Sequence, residues 1–147
     1  MKVAMFISSK YGLQCYKAVE KMEGIEMVGI LTTPLHFTLR YERNKTKEMQ
    51  NAIYEDVVKE SLEKKTQIYI TDKVNSEDSI NMIQKWKPDL IIVSGWYHII
   101  SGKVLAIPEK GVIGLHASLL PRYRGGAPLA WQIIRGEKES GITLFYI

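Results

Sequence analysis

His116 stands in a segment whose residue types could carry out acid–base chemistry. Its imidazole can donate or accept a proton near neutral pH. Gly114 and Ser118 would share a face with it in a strand, because strand side chains alternate between two faces. Residue types and spacing leave two interpretations open: a catalytic histidine, or a structural histidine that is hydrogen-bonded at the end of a strand.

Prolines and glycines after His116 predict a long turn that leads into a helix. Pro121, Gly125 and Gly126 favour the turn, and Pro128 suits the first position of a helix. Backbone N–H groups at such a turn could face a ligand. The sequence therefore predicts a titratable side chain and backbone donors in one short segment.

Two other segments could contribute to the same site, because each follows an apolar, strand-like run. Lys2–Ser8 has the pattern of a buried strand, and Asp89–Gly95 lacks a polar face, as expected at the centre of a parallel sheet. The loops Ser8–Gly12 and Ser94–Ile100 follow these runs. Ligands of open parallel sheets gather beyond the carboxyl ends of the strands. These loops and the His116 segment are therefore the candidate ligand-binding segments.

Strands and helices alternate along the chain, which predicts an α/β, Rossmann-like three-layer domain with a mostly parallel twisted sheet flanked by helices. Since a last strand runs to the end of the 147 residues, we expect residues 1–147 to be one catalytic domain, truncated at its C-terminal end. The expected strands are Lys2–Ser8, Met27–Thr32, Gln67–Thr71, Asp89–Gly95, Gly111–Ser118 and Gly141–Ile147. The expected helices are Leu13–Lys21, Glu48–Lys64, Glu77–Trp86, Ile100–Leu105 and Pro128–Gly136.

Local signals refine three of these helices. Asn75 or Ser76 can cap the helix that begins at Glu77. Apolar spacing places Ile53, Val57 and Leu62 on the buried face of the second helix. The cluster Trp131, Ile133 and Ile134 is expected to pack in the core.

Residues 34–47 form a polar connection that is longer than the usual loop of about 4–6 residues. Its cations are Arg40, Arg43, Lys45 and Lys47. Loops of this length are often functional, so the segment is a candidate contact for an anionic partner.

The composition excludes several classes of protein. The net charge of +4 is only mildly basic, unlike that of a dedicated nucleic-acid binder. The single cysteine, Cys15, excludes an internal disulfide, and His36, His98 and His116 lack ligand spacing, so no metal site is predicted. Residues 8–12 lack the Gly-x-Gly-x-x-Gly fingerprint, which disfavours a nicotinamide or flavin enzyme. Without an apolar run for a membrane span or signal peptide, we expect a cytoplasmic protein with no membrane contact.

The segment after residue 114 resembles the signature of the formyltransferase family, which runs Asn-x-His-x-Ser-Leu-Leu-Pro, then a basic or polar pair and Arg/Lys-Gly. The resemblance is close over residues 88–147 and looser over the rest of the chain. It continues through Ala127-Pro128, Gly136-Glu137 and Gly141-Ile142-Thr143. The residues that match the signature are His116, Ser118, Leu119, Leu120, Pro121, Arg124 and Gly125.

The resemblance implies a reaction in which an amine attacks the formyl carbon of 10-formyltetrahydrofolate. In the family, an Asn-His-Asp trio stabilises the developing oxyanion and moves protons. His116 matches the histidine, whereas Gly114 stands at the asparagine position and offers no side-chain donor. Losing one such donor typically costs roughly 100- to 1,000-fold in rate. The family aspartate would fall beyond Ile147, so the 147-residue chain by itself is expected to be inactive or nearly so.

The resemblance also implies which residues contact the two substrates. The formyl donor would lie against Tyr97, His98, Ile99, Ile100, Leu119 and Leu120. The acceptor would be held on the side of Ser118, Arg124 and Lys10. From residue types alone, the aromatic residues after Asp89–Gly95 could instead pack into the core, and residues 8–12 could form an ordinary polar turn.

Three functions remain open. The first is N-formylation of a nucleotide-linked amino sugar, favoured because the first turn lacks the Gly-Thr-Pro of tRNA-acting members and residues 34–47 lack their Pro/Gly/Lys-rich pattern. The second is formylation of methionyl-tRNA through the basic connection. The third is a non-catalytic folate-binding or regulatory role, favoured by Gly114. The sequence leaves the oligomeric state open.

Overall fold

Residues 1–42 and 45–147 are described by this computed structural model. The strands are β1 Lys2–Ile7, β2 Glu26–Thr32, β3 His36–Glu42, β4 Lys45–Gln50, β5 Ile68–Ile70, β6 Leu90–Ser94, β7 Val112–His116 and β8 Thr143–Tyr146. The helices are α1 Lys10–Val19, α2 Tyr54–Lys64, α3 Glu77–Trp86, α4 Gly102–Leu105 and α5 Pro128–Ile134.

The main sheet has six strands in the order β5-β2-β1-β6-β7-β8. All neighbouring pairs are parallel except β7 and β8, which pair antiparallel. The expected α/β architecture with a mostly parallel sheet and flanking helices is therefore confirmed. After β1, the chain adds β2 and then β5 on one side of it. Strand β6 lies on the other side of β1, and β7 and β8 follow outward from β6. A crevice for ligands is expected at the carboxyl ends of β1 and β6, where the strand order reverses.

The two faces of the sheet have separate apolar cores. Strand β1 supplies both of them, because its residues alternate between the faces and Val3–Ile7 are all fully buried. Phe6 packs with Ile83 of α3 in one core, and Met5 packs with Tyr16 of α1 in the other. Burial on both faces explains the continuous apolar run in the sequence.

Helix α3 has the bounds that the sequence predicts. Ser76 is its N-cap, and the Ser76 Oγ accepts a hydrogen bond from the Ser79 backbone N–H at 3.3 Å. Of the two expected caps, Asn75 has another role in the loop after β6, described below.

The expected connection at residues 34–47 is wrong, and so is the expected start of the second helix at Glu48. Strands β3 and β4 form an antiparallel hairpin there, and α2 begins only at Tyr54. On β3, Phe37 is buried and Leu39 half-buried, while the alternate residues His36, Thr38 and Arg40 are exposed. This period-two pattern is that of a strand with one buried face.

Two other apolar assignments are also wrong. Leu62 is 76% exposed, because Ser61 continues the buried face of α2 that Ile53 and Val57 begin at intervals of four residues. In α5, apolar side chains that were expected in the core are more than half exposed: Trp131, Ile133 and Ile134. Gln132, on the other side of α5, is buried and donates a hydrogen bond to the Ala117 carbonyl after β7, so α5 turns these apolar side chains outward.

A cross-strand contact lies between β7 and β8. Gly114 pairs with Phe145, and a Cβ atom added at Gly114 would lie 3.0 Å from two carbons of the Phe145 ring. It would also lie 3.2 Å from the Ile147 Cδ1 atom. The Phe145 ring therefore occupies the space that a side chain of residue 114 would need, as aromatic residues do when they cover a strand glycine.

This contact predicts coupling between residues 114 and 145. Alanine is ordinarily favoured over glycine in a strand by roughly 0.5–1 kcal/mol. The effect of Gly114→Ala on the free energy of unfolding should be less favourable with Phe145 present than in the Phe145→Ala background. The expected difference is about 0.5–3 kcal/mol, the range for contacting residues. Urea unfolding of the four proteins measures this difference.

Gly126→Ala is the matched control, because a Cβ atom added at Gly126 meets no described atom within 4 Å. Its effect on the free energy of unfolding should be the same with and without Phe145. Equal effects of Gly114→Ala in the two backgrounds would contradict the contact.

Candidate active site

A cleft of about 1000 Å³ opens at the carboxyl ends of β1, β6 and β7. This volume is at the upper end of the range for small-molecule sites, roughly 300–1,000 Å³. Its walls come from the turn after β1, the loop after β6, the end of β7, the start of α5 and the last strand. The lining residues that matter below are Ser9, Trp96, Tyr97, His98, Ile99, Ile100, Gly114, His116, Phe145 and Ile147.

Close backbone packing joins two of these walls. Gly95 follows β6 with a φ of +63°, and a Cβ atom there would lie 1.8 Å from the Ser9 Oγ. The same Ser9 Oγ caps α1 by accepting a hydrogen bond from the Gly12 N–H at 3.1 Å. A Cβ atom at Gly12 would lie 2.4 Å from the Ser94 carbonyl oxygen. Glycine is therefore required where the start of α1 meets the end of β6.

His116 lies at the end of β7, half-buried, and lines the cleft. Its Nε2–H donates a hydrogen bond of 2.7 Å to the Tyr123 carbonyl oxygen. A carbonyl can only accept, so Nε2 carries the proton and Nδ1 is the acceptor of the neutral ring. The ring is therefore oriented with one nitrogen available as a base.

The turn that supplies the Tyr123 carbonyl is fixed by side-chain hydrogen bonds. Ser118 is fully buried, and its hydroxyl donates to the Arg122 carbonyl at 2.7 Å. The Thr143 hydroxyl of β8 donates to the Ser118 carbonyl at 2.7 Å and accepts from the Leu120 N–H at 3.1 Å. These bonds hold the partner of His116 in place.

A carboxylate anchors the other side of the turn. The Glu137 Oε1 accepts hydrogen bonds from the Tyr123 hydroxyl and the Arg122 guanidinium. These two donors, Tyr123 first, hold the pKa of Glu137 below its ordinary value. Its contribution to stability is therefore present above the ordinary pKa of a glutamate and is lost as the pH falls through the lowered pKa.

The loop after β6 forms the apolar wall of the cleft. Asn75 fixes its end, because the side-chain amide donates to the Ile99 carbonyl and its oxygen accepts from the Ser101 N–H, both at 2.8 Å. Burial lowers the pKa of His98 below its ordinary value, so this ring is neutral at physiological pH.

The cleft brings together several residues that the sequence singles out. They are Tyr97, His98, Ile99, Ile100, Gly114 and His116. Their placement gives His116 an open, ligand-sized space beside it, as a catalytic histidine needs. The chemical role of each residue stays a prediction.

Other predicted site residues do not line this cleft. Leu119 is packed toward Gly141. Ser118 is buried within the turn, where its hydroxyl donates to the Arg122 carbonyl and its carbonyl accepts from the Thr143 hydroxyl. Arg124 lines a smaller cavity of about 390 Å³ with Tyr123 and Trp131. Leu120 and Lys10 lie outside the cleft lining as well.

Phe145 and Trp96 line the cleft without having been singled out in the sequence. Trp96 stands beside Tyr97, so its place after a strong parallel strand was the available signal. No local signal in the sequence identified Phe145, because only the register of β7 against β8 places its ring over Gly114.

The β3–β4 hairpin lies beside the cleft, since the Phe37 ring contacts both Tyr97 and His98. Arg40, Lys45 and Lys47 of the hairpin are exposed, and Arg43 lies outside the described residues. Among residues 1–42 and 45–147, no helix has the length and apolar character needed to cross a bilayer.

The chain is similar in sequence to methionyl-tRNA formyltransferase from Alkaliphilus oremlandii, with 31% identity over 148 residues. That match covers 100% of this chain and 44% of the relative. The chain thus spans a little under half the length of the curated relatives that it matches end to end.

Solved structures share the fold. Phosphoribosylglycinamide formyltransferase from Bacillus halodurans superposes with a TM-score of 0.73 at 16% identity, covering 100% of this chain and 72% of that one. A sugar N-formyltransferase from a Shewanella species gives a TM-score of 0.64 at 16% identity, covering 100% and 51%. The model of the family described as formyl transferase matches residues 1–147. The chain therefore belongs to the formyl transferase family.

Proposed function

We propose that the protein transfers a formyl group from 10-formyltetrahydrofolate to a primary amine. A bond forms between the amine nitrogen and the formyl carbon, and the bond from that carbon to N10 of the donor breaks. The amine loses one proton and the departing N10 gains one. His116 would carry it, because its Nε2–H is held by the Tyr123 carbonyl and its Nδ1 can accept. This oriented histidine in the cleft is the observation that carries the proposal.

The cleft is suited to a folate donor. A folate needs a long space with an apolar wall for its flat ring and polar groups for its ring nitrogens. The loop after β6 offers the apolar side chains of Ile99 and Ile100 and the aromatic ring of Tyr97. We therefore place the donor against residues 97–100, with its formyl end toward His116.

Gly114 limits what the site can do for the developing negative charge. A backbone N–H close to Gly114 could have replaced the missing side-chain donor. Among the described residues, the Phe145 ring and Ile147 lie against Gly114 instead. The loss of one such donor typically lowers the rate by roughly 100- to 1,000-fold.

For the acceptor we propose methionyl-tRNA. The exposed cations Arg40 and Lys47 lie on the β3–β4 hairpin, which contacts the cleft wall through Phe37. Cations at this place would bind the phosphates of a tRNA whose aminoacyl end enters the cleft. The names of relatives that match the entire chain, methionyl-tRNA formyltransferases, support this choice.

A nucleotide-linked amino sugar is the second candidate. Two sequence features support it: residues 8–12, where the chain passes from β1 into α1, lack Gly-Thr-Pro, and residues 34–47 lack a Pro/Gly/Lys-rich pattern. Either acceptor is consistent with a cytoplasmic protein that has no membrane partner.

The first prediction concerns His116. In the complete protein, His116→Gln should lower kcat by about 100- to 10,000-fold, because glutamine can still donate to the Tyr123 carbonyl but cannot carry a proton. The Kd for 5-formyltetrahydrofolate, a stable donor analogue, should stay close to that of the wild type. Steady-state kinetics and calorimetry measure the two quantities.

His36→Gln is the control, because His36 is an exposed histidine outside the cleft lining. It should leave kcat unchanged with a small amine acceptor. If His116→Gln turned over as fast as the wild type, the catalytic role of His116 would be excluded. A wild-type protein that binds the analogue but never turns over would favour the non-catalytic folate-binding role.

The second prediction separates the two acceptors. Replacing Arg40 and Lys47 by glutamate should raise KM for methionyl-tRNA and reduce the salt dependence of log K by about one for each lost phosphate contact. The control pair Lys85→Glu/Lys110→Glu makes the same charge change on exposed lysines elsewhere and should have little effect. Turnover of a sugar nucleotide, with none of methionyl-tRNA, would exclude the tRNA proposal.

A further inference from the structure

One aromatic side chain joins the β3–β4 hairpin to the wall of the cleft. Phe37 lies on β3 and is only 4% exposed. Its ring centroid lies 5.5 Å from that of Tyr97 and 5.8 Å from that of His98. Both distances fall in the range of favourable aromatic contacts. Phe37 itself does not line the cleft, whereas the two rings that it touches do.

The rings of the cleft wall lie between the sheet and the hairpin. Trp96 packs against Phe6 of β1 at 5.9 Å and against His98 at 5.5 Å. His98 in turn packs against Phe37. The series of contacts thus runs from the buried core of the sheet through two residues of the wall to the hairpin.

Packing, not hydrogen bonding, holds these side chains. The Nε1 of Trp96 and the Nε2 of His98 are both buried and have no hydrogen-bond partner among the described residues. Unpaired buried polar atoms do not fix a side chain, so the rotamers of Trp96 and His98 depend on the rings around them. Removing the Phe37 ring would leave His98 without its contact on the hairpin side.

The base of the hairpin is itself firmly attached. The Asn51 N–H donates to the Leu35 carbonyl at 2.8 Å, and the Asn51 side-chain amide donates to the Thr33 carbonyl at 2.7 Å. Asn51 is 2% exposed, so these bonds are shielded from water. The hairpin can therefore support the middle of the loop, whose two ends are held by Gly95 against Ser9 and by Asn75.

We propose that Phe37 is a positioning residue that holds the Trp96–Ile100 wall of the cleft, and that the β3–β4 hairpin thereby supports donor binding without contacting the donor. The binding part of this inference rests on the proposed function. The packing part does not. A positioning residue of this kind acts on affinity through the geometry of the wall that it supports.

The packing part is tested by the titration of His98, followed by NMR in the complete protein. Burial lowers the pKa of His98, Asp72 is the charged group that opposes this shift, and the Phe37 ring is one of the groups packed against the imidazole. Phe37→Ala should expose the imidazole and raise its pKa toward the ordinary value. Phe37→Leu, which retains most of the buried volume, should give a smaller rise. Leu39→Ala is the control, since it shortens an inward-facing side chain two residues farther along the same strand.

The binding part is tested by calorimetry with 5-formyltetrahydrofolate on the same proteins. Phe37→Ala should weaken binding by about threefold to tenfold, which corresponds to the loss of one or two ring contacts. Phe37→Leu should weaken it less, and Leu39→Ala should leave it unchanged. If Phe37→Ala does not fold, as judged by its unfolding transition, Phe37→Leu carries both tests.

The outcomes distinguish the two proposals. If the wild type does not bind the analogue although Phe37→Ala raises the pKa of His98, the proposed function fails and the packing part stands. If the wild type binds the analogue, but the Phe37 variants bind it equally well with an unchanged His98 titration, the positioning role is overturned.

Discussion

The hydrogen bond from His116 Nε2 to the Tyr123 carbonyl determines what the candidate site can do. It fixes the proton on Nε2, and so makes Nδ1 the nitrogen that can take a proton. The turn that supplies this carbonyl is held by Ser118 and Thr143 and anchored by Glu137. Ser118, a signature residue outside the cleft lining, thus contributes by fixing the turn that supplies the partner of His116.

The sheet brings the other walls to this histidine. Parallel strands end at one edge, and the strand order reverses between β1 and β6. The close approach of Ser9 and Gly95 joins the loops of these two strands, and β7 adds His116 beside them. The cleft is thus a consequence of topology. Its apolar wall, by contrast, depends on ring packing that reaches from Phe6 to the hairpin.

Local signals in the sequence were sufficient for α3 and for the central strands. The Ser76 cap is encoded within a few residues, and continuous apolar runs identify β1 and β6. The hairpin was missed because its exposed polar residues concealed the alternation of Phe37 and Leu39. The direction of the turn after β7 depends on Thr143, which bonds to Leu120 across 23 residues. The ring over Gly114 likewise depends on the register of two strands. Such long-range contacts leave no local pattern.

The central claim is that His116 faces the formyl end of a folate in this cleft. The most direct test is the ¹⁵N NMR spectrum of the histidines in the complete protein, with His116 assigned by substitution, before and after addition of 5-formyltetrahydrofolate. The account predicts a proton on Nε2 of His116 in the free protein, and a change in the His116 Nδ1 signal that saturates with ligand binding. Saturated binding that leaves the His116 signals unchanged would contradict it.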